Sequence, residues 1–300
     1  MPSAPDTTPV QPRTHSTVLV TGATGQVGRR LVPRLLGWLE PGRHVRVLVR
    51  TQEAADRFAA LGAESVLGDL RETEDRKRAL DGVSVVVNCA AAFRTPGLTA
   101  DDMYAVNRDA AVALATESAA AGVERFVQLS TNLVYGPGAG RPQREDDELR
   151  AAGGYPYAQT KRAAEEGIAQ LRALDAVTLR LAFVYGEGDP HIADWLPRAA
   201  SWAAHQRLPM VHHADVAQAV IRAIQTPGIA GRVYNVGDDA ALTAVELFAL
   251  TGREFDLEAA AGRSVADHWL GIPDTRLAHR ELGYRPVYPT AWAAWRDGAL

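Results

Sequence analysis

Through residue 183 the chain alternates short apolar runs with longer Ala-, Leu- and Arg-rich stretches, and this alternation constrains the fold more than any other feature. The runs are "TVLVTG" (17–22), "HVRVLVR" (44–50), "ESVLG" (64–68), "VSVVVNC" (83–89), "ERFVQLST" (124–131) and "VTLRLAF" (177–183). Runs that are apolar almost without interruption suit strands buried on both faces. The stretches between them, about 26–39, 52–61, 72–81, 101–121 and 155–174, read as helices. Strand and helix in strict turn give a parallel sheet with helices on both sides, a doubly wound α/β fold of the Rossmann type over residues 17–183.

Beyond residue 183 the alternation loosens. Helices are predicted at 192–205, 213–226, 243–250 and 274–282, with a strand at "GRVYNVG" (231–237). These pieces are too interspersed for a separate core, so residues 184–300 are expected to form a small substrate-binding lobe interleaved with the last sheet elements. Residues 1–16 carry four prolines and no apolar stretch, and read as a disordered tail. A net charge of −4 gives no draw toward nucleic acid or an anionic membrane, and the longest apolar runs are strand-sized. The single cysteine, Cys89, leaves no internal disulfide and fits a reducing cytoplasm. His191, His205, His212, His213 and His268 show no metal-ligand spacing with acids or cysteine, so no metal is assigned.

The loop between the first strand and the first helix reads "TGATGQVG". Glycines spaced in this way let the backbone turn tightly and approach a pyrophosphate, whose charge meets the free N–H groups at the helix start. Gly22, Thr24, Gly25, Gln26, Val27 and Gly28 are therefore the expected dinucleotide loop; the alternative is a glycine turn needed only for close packing. The second strand ends in Arg50 where many such domains hold an acid for the ribose hydroxyls. A guanidinium suits a 2′-phosphate, so NADP(H) is expected over NAD(H), with Arg29 and Arg30 adding to the positive pocket. "LGDL" places Asp69 and Leu70 by the adenine. "NCAAAF" brings Ala90 and Ala91 beside the cofactor path, with Cys89 as a packing residue.

"YPYAQTK" sets Tyr157 four residues ahead of Lys161, on one face of a predicted helix. With "YAVNRDA" and "QLSTNLVYG" ahead of it and "LRLAFVYGEGD", "VHHADVAQA" and "VYNVGDD" after it, the sequence resembles the extended short-chain dehydrogenase/reductase family, the NAD(P)-dependent epimerase/dehydratase group, over residues 17–290. The resemblance implies a catalytic set of Thr131, Tyr157 and Lys161, with Ser130 as the backup hydroxyl and Asn107 supporting the lysine through its backbone and a water. A phenol with a pKa of about 10 is a poor acid or base at neutral pH, and a neighbouring ammonium lowers it toward the working range. Lys161 would also hold the nicotinamide ribose, and Thr131 would orient the carbonyl.

The same resemblance narrows the reaction. Sugar 4,6-dehydratases carry an Asp–Glu pair directly after the catalytic threonine, and here those positions are Asn132 and Leu133. The segment before "VHHADVA" is short and Arg207 stands out of register, so the expected grip on a nucleotide diphosphate is reduced. Leu181 replaces the usual proline after Arg180. The expected activity is an NADPH-dependent ketoreductase acting on a small-molecule carbonyl, an apolar or polycyclic ketone among the candidates. Phe93, Asn132, Tyr155, Phe183, Trp195, Trp202 and Trp269 are placed by the cleft, with Trp195 and Trp202 on one helical face. The alternatives are a nucleotide-sugar epimerase or 4-ketoreductase, and a cofactor-binding regulator without turnover. A homodimer through the helices at 101–121 and 155–174 is the assembly the family allows.

Overall fold

The structure is a computed structural model, and it describes residues 17–40, 42–93, 97–138, 140–151 and 156–300. The tail at 1–16 and Tyr155 lie outside the described residues. Seven strands form one parallel sheet: β1 (Thr17–Thr21), β2 (His44–Val49), β3 (Glu64–Leu67), β4 (Val83–Asn88), β5 (Arg125–Thr131), β6 (Ala176–Leu181) and, late in the chain, β10 (Val233–Val236). Their order across the sheet is β10-β6-β5-β4-β1-β2-β3. The winding reverses between β1 and β4, and a crevice opens there at the carboxyl ends of the strands, where doubly wound sheets bind ligands.

The pleat sends successive side chains to opposite faces. Val18 and Val20 of β1 join one core, with Leu31, Val32 and Leu35 of α1 (Gly28–Trp38) and Val216 and Val220 of α8 (His213–Gln225). Leu19 between them joins the other core, with Leu114 of α5 (Ala111–Ala120) and Ile168 of α6 (Tyr157–Ala169). Helices α2 (Gln52–Ala60) and α3 (Thr73–Leu80) complete the two layers. A third apolar cluster holds the lobe together, drawing on Ile192 and Leu196 of α7 (His191–Ala199), Leu247 of α9 (Ala244–Leu250) and Ala291 and Ala294 of α10 (Ala291–Arg296). Two small ribbons brace the lobe. One pairs β7 (Phe183–Tyr185) with β9 (Met210–His212), the other β8 (Arg207–Leu208) with β11 (Leu242–Thr243). Among the described residues no helix is long and apolar enough to cross a membrane.

The predicted helix at 101–121 is not continuous. It runs as α4 (Ala100–Tyr104), a π-helical stretch at Ala105–Ala110, then α5. The wider turn coincides with Asn107, whose fully buried amide reaches across to two neighbouring segments; such single π-turns concentrate where a side chain is needed off the regular helical path. The helix predicted at 192–205 stops at Ala199, because the next bonds tighten to i→i−3, from Ser201 N to Arg198 O and from Trp202 N to Ala199 O. Trp202 therefore lies past α7 and not on its face.

A buried polar network fastens α6 to the sheet. Arg180 of β6 donates to both carboxylate oxygens of Glu165 on α6, the shortest bond being 2.7 Å, and to the Tyr135 hydroxyl at 2.8 Å. Tyr135 donates onward to Asn235 Oδ1 of β10 at 2.7 Å, and Ser130 of β5 donates to Glu165 from the other side. Glu165 and Arg180 are almost fully shielded from water, so removing one partner strands the other's charge. Glu165→Ala and Arg180→Met are each expected to cost about 3–5 kcal/mol of stability, read from urea unfolding midpoints at an unchanged slope. A loss under about 1 kcal/mol in either would show that the pair is solvated as surface pairs are.

Candidate active site

The site is built on the carboxyl ends of β1, β4 and β5. A belt of buried side chains ties these three strands together just below it. Thr21 Oγ1 donates to Asn88 Oδ1 at 2.6 Å, and Asn88 Nδ2 donates to Gln128 Oε1 at 2.8 Å. Above the belt the glycine loop folds against the end of β4. Gly22 has φ +69°, and a methyl group there would overlap the backbone of Ala90; one on Gly28 would overlap the carbonyl oxygen of Gly22. These two glycines are required by packing within the chain itself. Gly25 differs: a methyl group there would meet only the carbonyl oxygen of Gly22, at 3.3 Å, and Thr24, Gly25 and Gln26 are exposed.

Among the described residues the N–H groups of Gln26 and Val27 donate no hydrogen bond, and they sit where α1 begins. Free backbone donors at a helix start, on a loop with no side chain at Gly25, fit the pyrophosphate of a dinucleotide. Ala90 and the exposed Ala91 border the same loop. At the outer end, Arg50 is exposed just past β2. Asp69 lies nearby, its carboxyl held below the usual range by hydrogen bonds from Arg71, with Arg50 adding attraction. Leu70 turns its side chain into the core, so what it presents to a ligand is backbone. Arg30 departs from expectation. It is buried, bonding to Gln26 and to Glu187 O and lying 3.8 Å from Asp189, so it clamps the lobe to α1 and does not add to the positive pocket expected of it.

Thr131 ends β5, and the chain then turns through a 3-10 stretch, Asn132–Tyr135, leaves the sheet and returns at Arg150, whose N–H donates to Tyr135 O. This closed excursion lets Thr131 and Tyr157, far apart in sequence, stand at neighbouring element ends, with α6 packed against β5 and the 3-10 turn. Thr131 Oγ1 accepts a bond from Leu133 N at 3.3 Å and keeps its proton for another acceptor. Ser130, the backup hydroxyl, is committed to Glu165. Asn132, expected to face substrate, is instead 5% exposed and donates to Gly271 O at 2.6 Å.

Lys161 is 2% exposed, and burial pushes its ammonium down to about 8, with Glu165 one turn further along α6 holding it up. Asn107 positions this helix. Its Oδ1 accepts from Ala92 N at 2.7 Å, while Nδ2 donates to Ala92 O at 3.1 Å and to Thr160 Oγ1 at 3.0 Å. The residue before the lysine is thereby fastened through the side-chain amide to the loop after β4. Cys89 packs against the core, and burial pushes its thiol up to about 12, so it is a protonated packing residue.

Phe93 packs on Tyr157, ring centres 4.4 Å apart. From there an aromatic row continues into the lobe. Phe93 lies 6.5 Å from His191, which stacks on Phe183 at 3.8 Å; Phe183 lies 5.6 Å from Trp195, and Trp195 lies 6.3 Å from Trp202. The tryptophans also pack against the lobe core, so filling that core and walling the cleft are not exclusive. Trp269 sits away from this row, under the guanidinium of Arg207. His191 is a member that sequence reading passed over, because it was weighed only as a metal ligand. Glu165 was overlooked too, although its place four residues after Lys161 on one helical face was a visible sign.

The NAD dependent epimerase/dehydratase family matches residues 18–237. The chain belongs to that family. Its members depend on a nicotinamide dinucleotide, and the free donors of the glycine loop agree with this. The chain is 31% identical, over 74% of its own length and 68% of the other's, to 4-hydroxy-2-methyl-3-oxo-4-farnesyl-3,4-dihydroquinoline-1-oxide ketoreductase of Stigmatella aurantiaca. It is 30% identical to dTDP-glucose 4,6-dehydratase of Streptomyces griseus, over 91% of this chain and 90% of that protein. Among solved structures it resembles DesIV, a dTDP-glucose 4,6-dehydratase from Streptomyces venezuelae with NAD and TYD bound, at 26% identity and TM-score 0.73, covering 93% of this chain and 95% of that one. Of four curated relatives it matches, the chain spans 53% to 68% of the length.

Lys161 gives the site a stability signature. Its folded value of about 8 lies below its ordinary 10.5, so between those pH values the unfolded chain holds a proton that the folded chain has lost. Stability contributed by this group therefore rises with pH across that window. In the apoprotein Lys161→Met is expected to gain on the order of 2 kcal/mol at pH 7 and to lose that rise. Urea titrations of both proteins at neutral and alkaline pH check it, and parallel pH profiles would place the ammonium in water.

Proposed function

We propose that this member of the family is an NADPH-dependent ketoreductase that reduces an apolar, ring-bearing ketone to the alcohol. The observation that carries this reading is the contact of Phe93 with Tyr157 at the head of an aromatic row, with no proton-moving side chain in the two positions after Thr131. Elimination of water needs a second acid and a base there. Asn132 is spent on Gly271 O, and Leu133 is hydrocarbon. The Stigmatella relative is itself named as a ketoreductase of a farnesylated quinoline oxide, which agrees with a cleft walled by Phe93, Phe183 and Trp195.

In this reading Gly22, Thr24, Gly25, Gln26 and Val27 hold the pyrophosphate, Arg50 pairs with the 2′-phosphate and Lys161 takes the nicotinamide ribose. When bound, the cofactor supplies the hydride. The chain's own residues do the rest. Thr131 donates a hydrogen bond to the carbonyl oxygen, and Tyr157 gives that oxygen its proton as charge develops on it. The buried ammonium of Lys161 stabilises the phenolate left behind, the more strongly because water is excluded around it. Phe93 fixes the plane of the Tyr157 ring.

A second reading is a nucleotide-sugar epimerase or 4-ketoreductase, favoured by the near full-length coverage of the Streptomyces griseus relative. Protection of the protein by a nucleoside diphosphate in thermal melts would support that reading, and no shift would weigh against it. For the lead reading, Tyr157→Phe is expected to lower kcat by about 10²- to 10⁴-fold while leaving NADPH affinity and melting temperature in place. Transfer of label from deuterated NADPH to a ketone product is the direct test, and its absence over a broad ketone panel would leave a cofactor-binding protein without turnover. Arg50→Gln is expected to weaken NADPH about tenfold relative to NADH in fluorescence titrations. An unchanged ratio would remove Arg50 from the cofactor site.

A further inference from the structure

Two large apolar side chains stand in water next to the two partners of one hydrogen bond close to Thr131 in the chain. The bond runs from Asn132 Nδ2 to Gly271 O at 2.6 Å. Leu133 follows the donor and is 50% exposed; Leu270 precedes the acceptor and is 48% exposed. Among the described residues neither belongs to any of the three apolar clusters. The segment that carries Leu270 is nevertheless held in place. Gln143 N donates to Ile272 O at 2.8 Å, Asp274 N donates to Gln143 O at 2.7 Å, and Gly140 N donates to Asp267 Oδ2 at 3.4 Å. Gly271 takes a left-handed φ of +74°, which turns the backbone so that its carbonyl meets Asn132. The result is a fixed apolar edge two residues from Thr131.

We propose that Leu133 and Leu270 form a lip that binds the hydrocarbon substituent on the ketone's carbonyl carbon, with Asn132 as the positioning residue that latches the two sides together. The identity of the ligand rests on the ketoreductase reading. An apolar edge beside the hydroxyl that orients the carbonyl oxygen favours substrates whose reacting group carries an alkyl or isoprenoid arm, and it disfavours arms that must keep their water. It also gives Asn132 a purpose that proton transfer does not.

The test uses the NADP-loaded protein and straight-chain methyl ketones from butanone to decanone, with binding measured by calorimetry and turnover measured separately. In the wild type, affinity is expected to rise about threefold for each methylene that the lip covers. Leu133→Gln and Leu270→Gln should each cut the preference for decanone over butanone by about tenfold. Asn132→Ala should flatten the series in the same way, which a purely structural role would not do. Leu257→Gln, an equally solvent-facing change elsewhere, at a residue 61% exposed, should leave the series as it was. A flat wild-type series, or lip variants that keep the wild-type slope, overturns the lip. A steep series that the lip variants flatten, with no ketone reduced, supports the lip and overturns the ketoreductase reading.

Discussion

The ion pair between Glu165 and Arg180 is the constraint on which the geometry of the site depends. Two opposite charges taken out of water lose solvation roughly as large as the attraction they gain, so the pair's value lies less in net stability than in where it fixes its two elements. Here those elements are α6 and β6. Glu165 lies one helical turn beyond Lys161, and the pair therefore sets the rotation of α6 and the depth at which the lysine sits. Ser130, Tyr135 and the Glu145 carbonyl complete the hydrogen-bonding shell of the pair, and Asn235 in turn holds Tyr135. The stacking of the Arg180 guanidinium over the Tyr135 ring, 4.8 Å to its centre, closes the last open side.

The electrostatics of the site follow from that depth. A lysine that is nearly out of water is costly to keep charged, and the fold bears that cost one helical turn after Tyr157. The π-turn at Asn107 belongs to the same arrangement. A regular helix would turn the amide away from Ala92 and Thr160, and the loop after β4 would lose its tie to the residue beside Lys161. Local irregularity in one helix is thus the means by which another is held straight against the sheet.

Much of the fold was legible because doubly wound sheets write themselves as long apolar runs: β1, β2, β3, β4 and β5 all lie within their predicted spans, and β6 begins one residue ahead of its own. The short ribbons β7–β9 and β8–β11 and the six-residue α10 are too brief to show a period, and they exist because the lobe core supplies partners from far along the chain. The chemical types of the site were legible, whereas the partners of its polar side chains were not. Nothing in "QVGRRL" says that Arg30 points inward to Glu187 and Asp189 while Arg29 stays exposed, because that choice is made by a loop more than 150 residues away. Asn132 reads as a polar residue beside the hydroxyl of Thr131; only the approach of Gly271 turns it into a latch. Trp202 kept its neighbour Trp195 although the helix meant to join them ended early, since ring contact in the lobe, not helical spacing, holds the two together.

The adjacent hydroxyls of Ser130 and Thr131 differ by one methyl group, yet they have unlike surroundings. The pleat of β5 separates them. Ser130 lies in register with Arg180 and faces the buried charges, and Thr131 lies in register with Leu181 at the strand's end. A slip of β5 by a single residue toward its amino end would carry Thr131 into the place of Ser130 beside the ion pair and leave Asn132 where Thr131 stood. The strand end would then present an amide in place of a hydroxyl, and the added methyl would crowd Glu165 and disturb the shell around the charges. What distinguishes the two residues is therefore the parity of the strand more than their chemistry, and that parity is protected by every apolar side chain on both faces of β5.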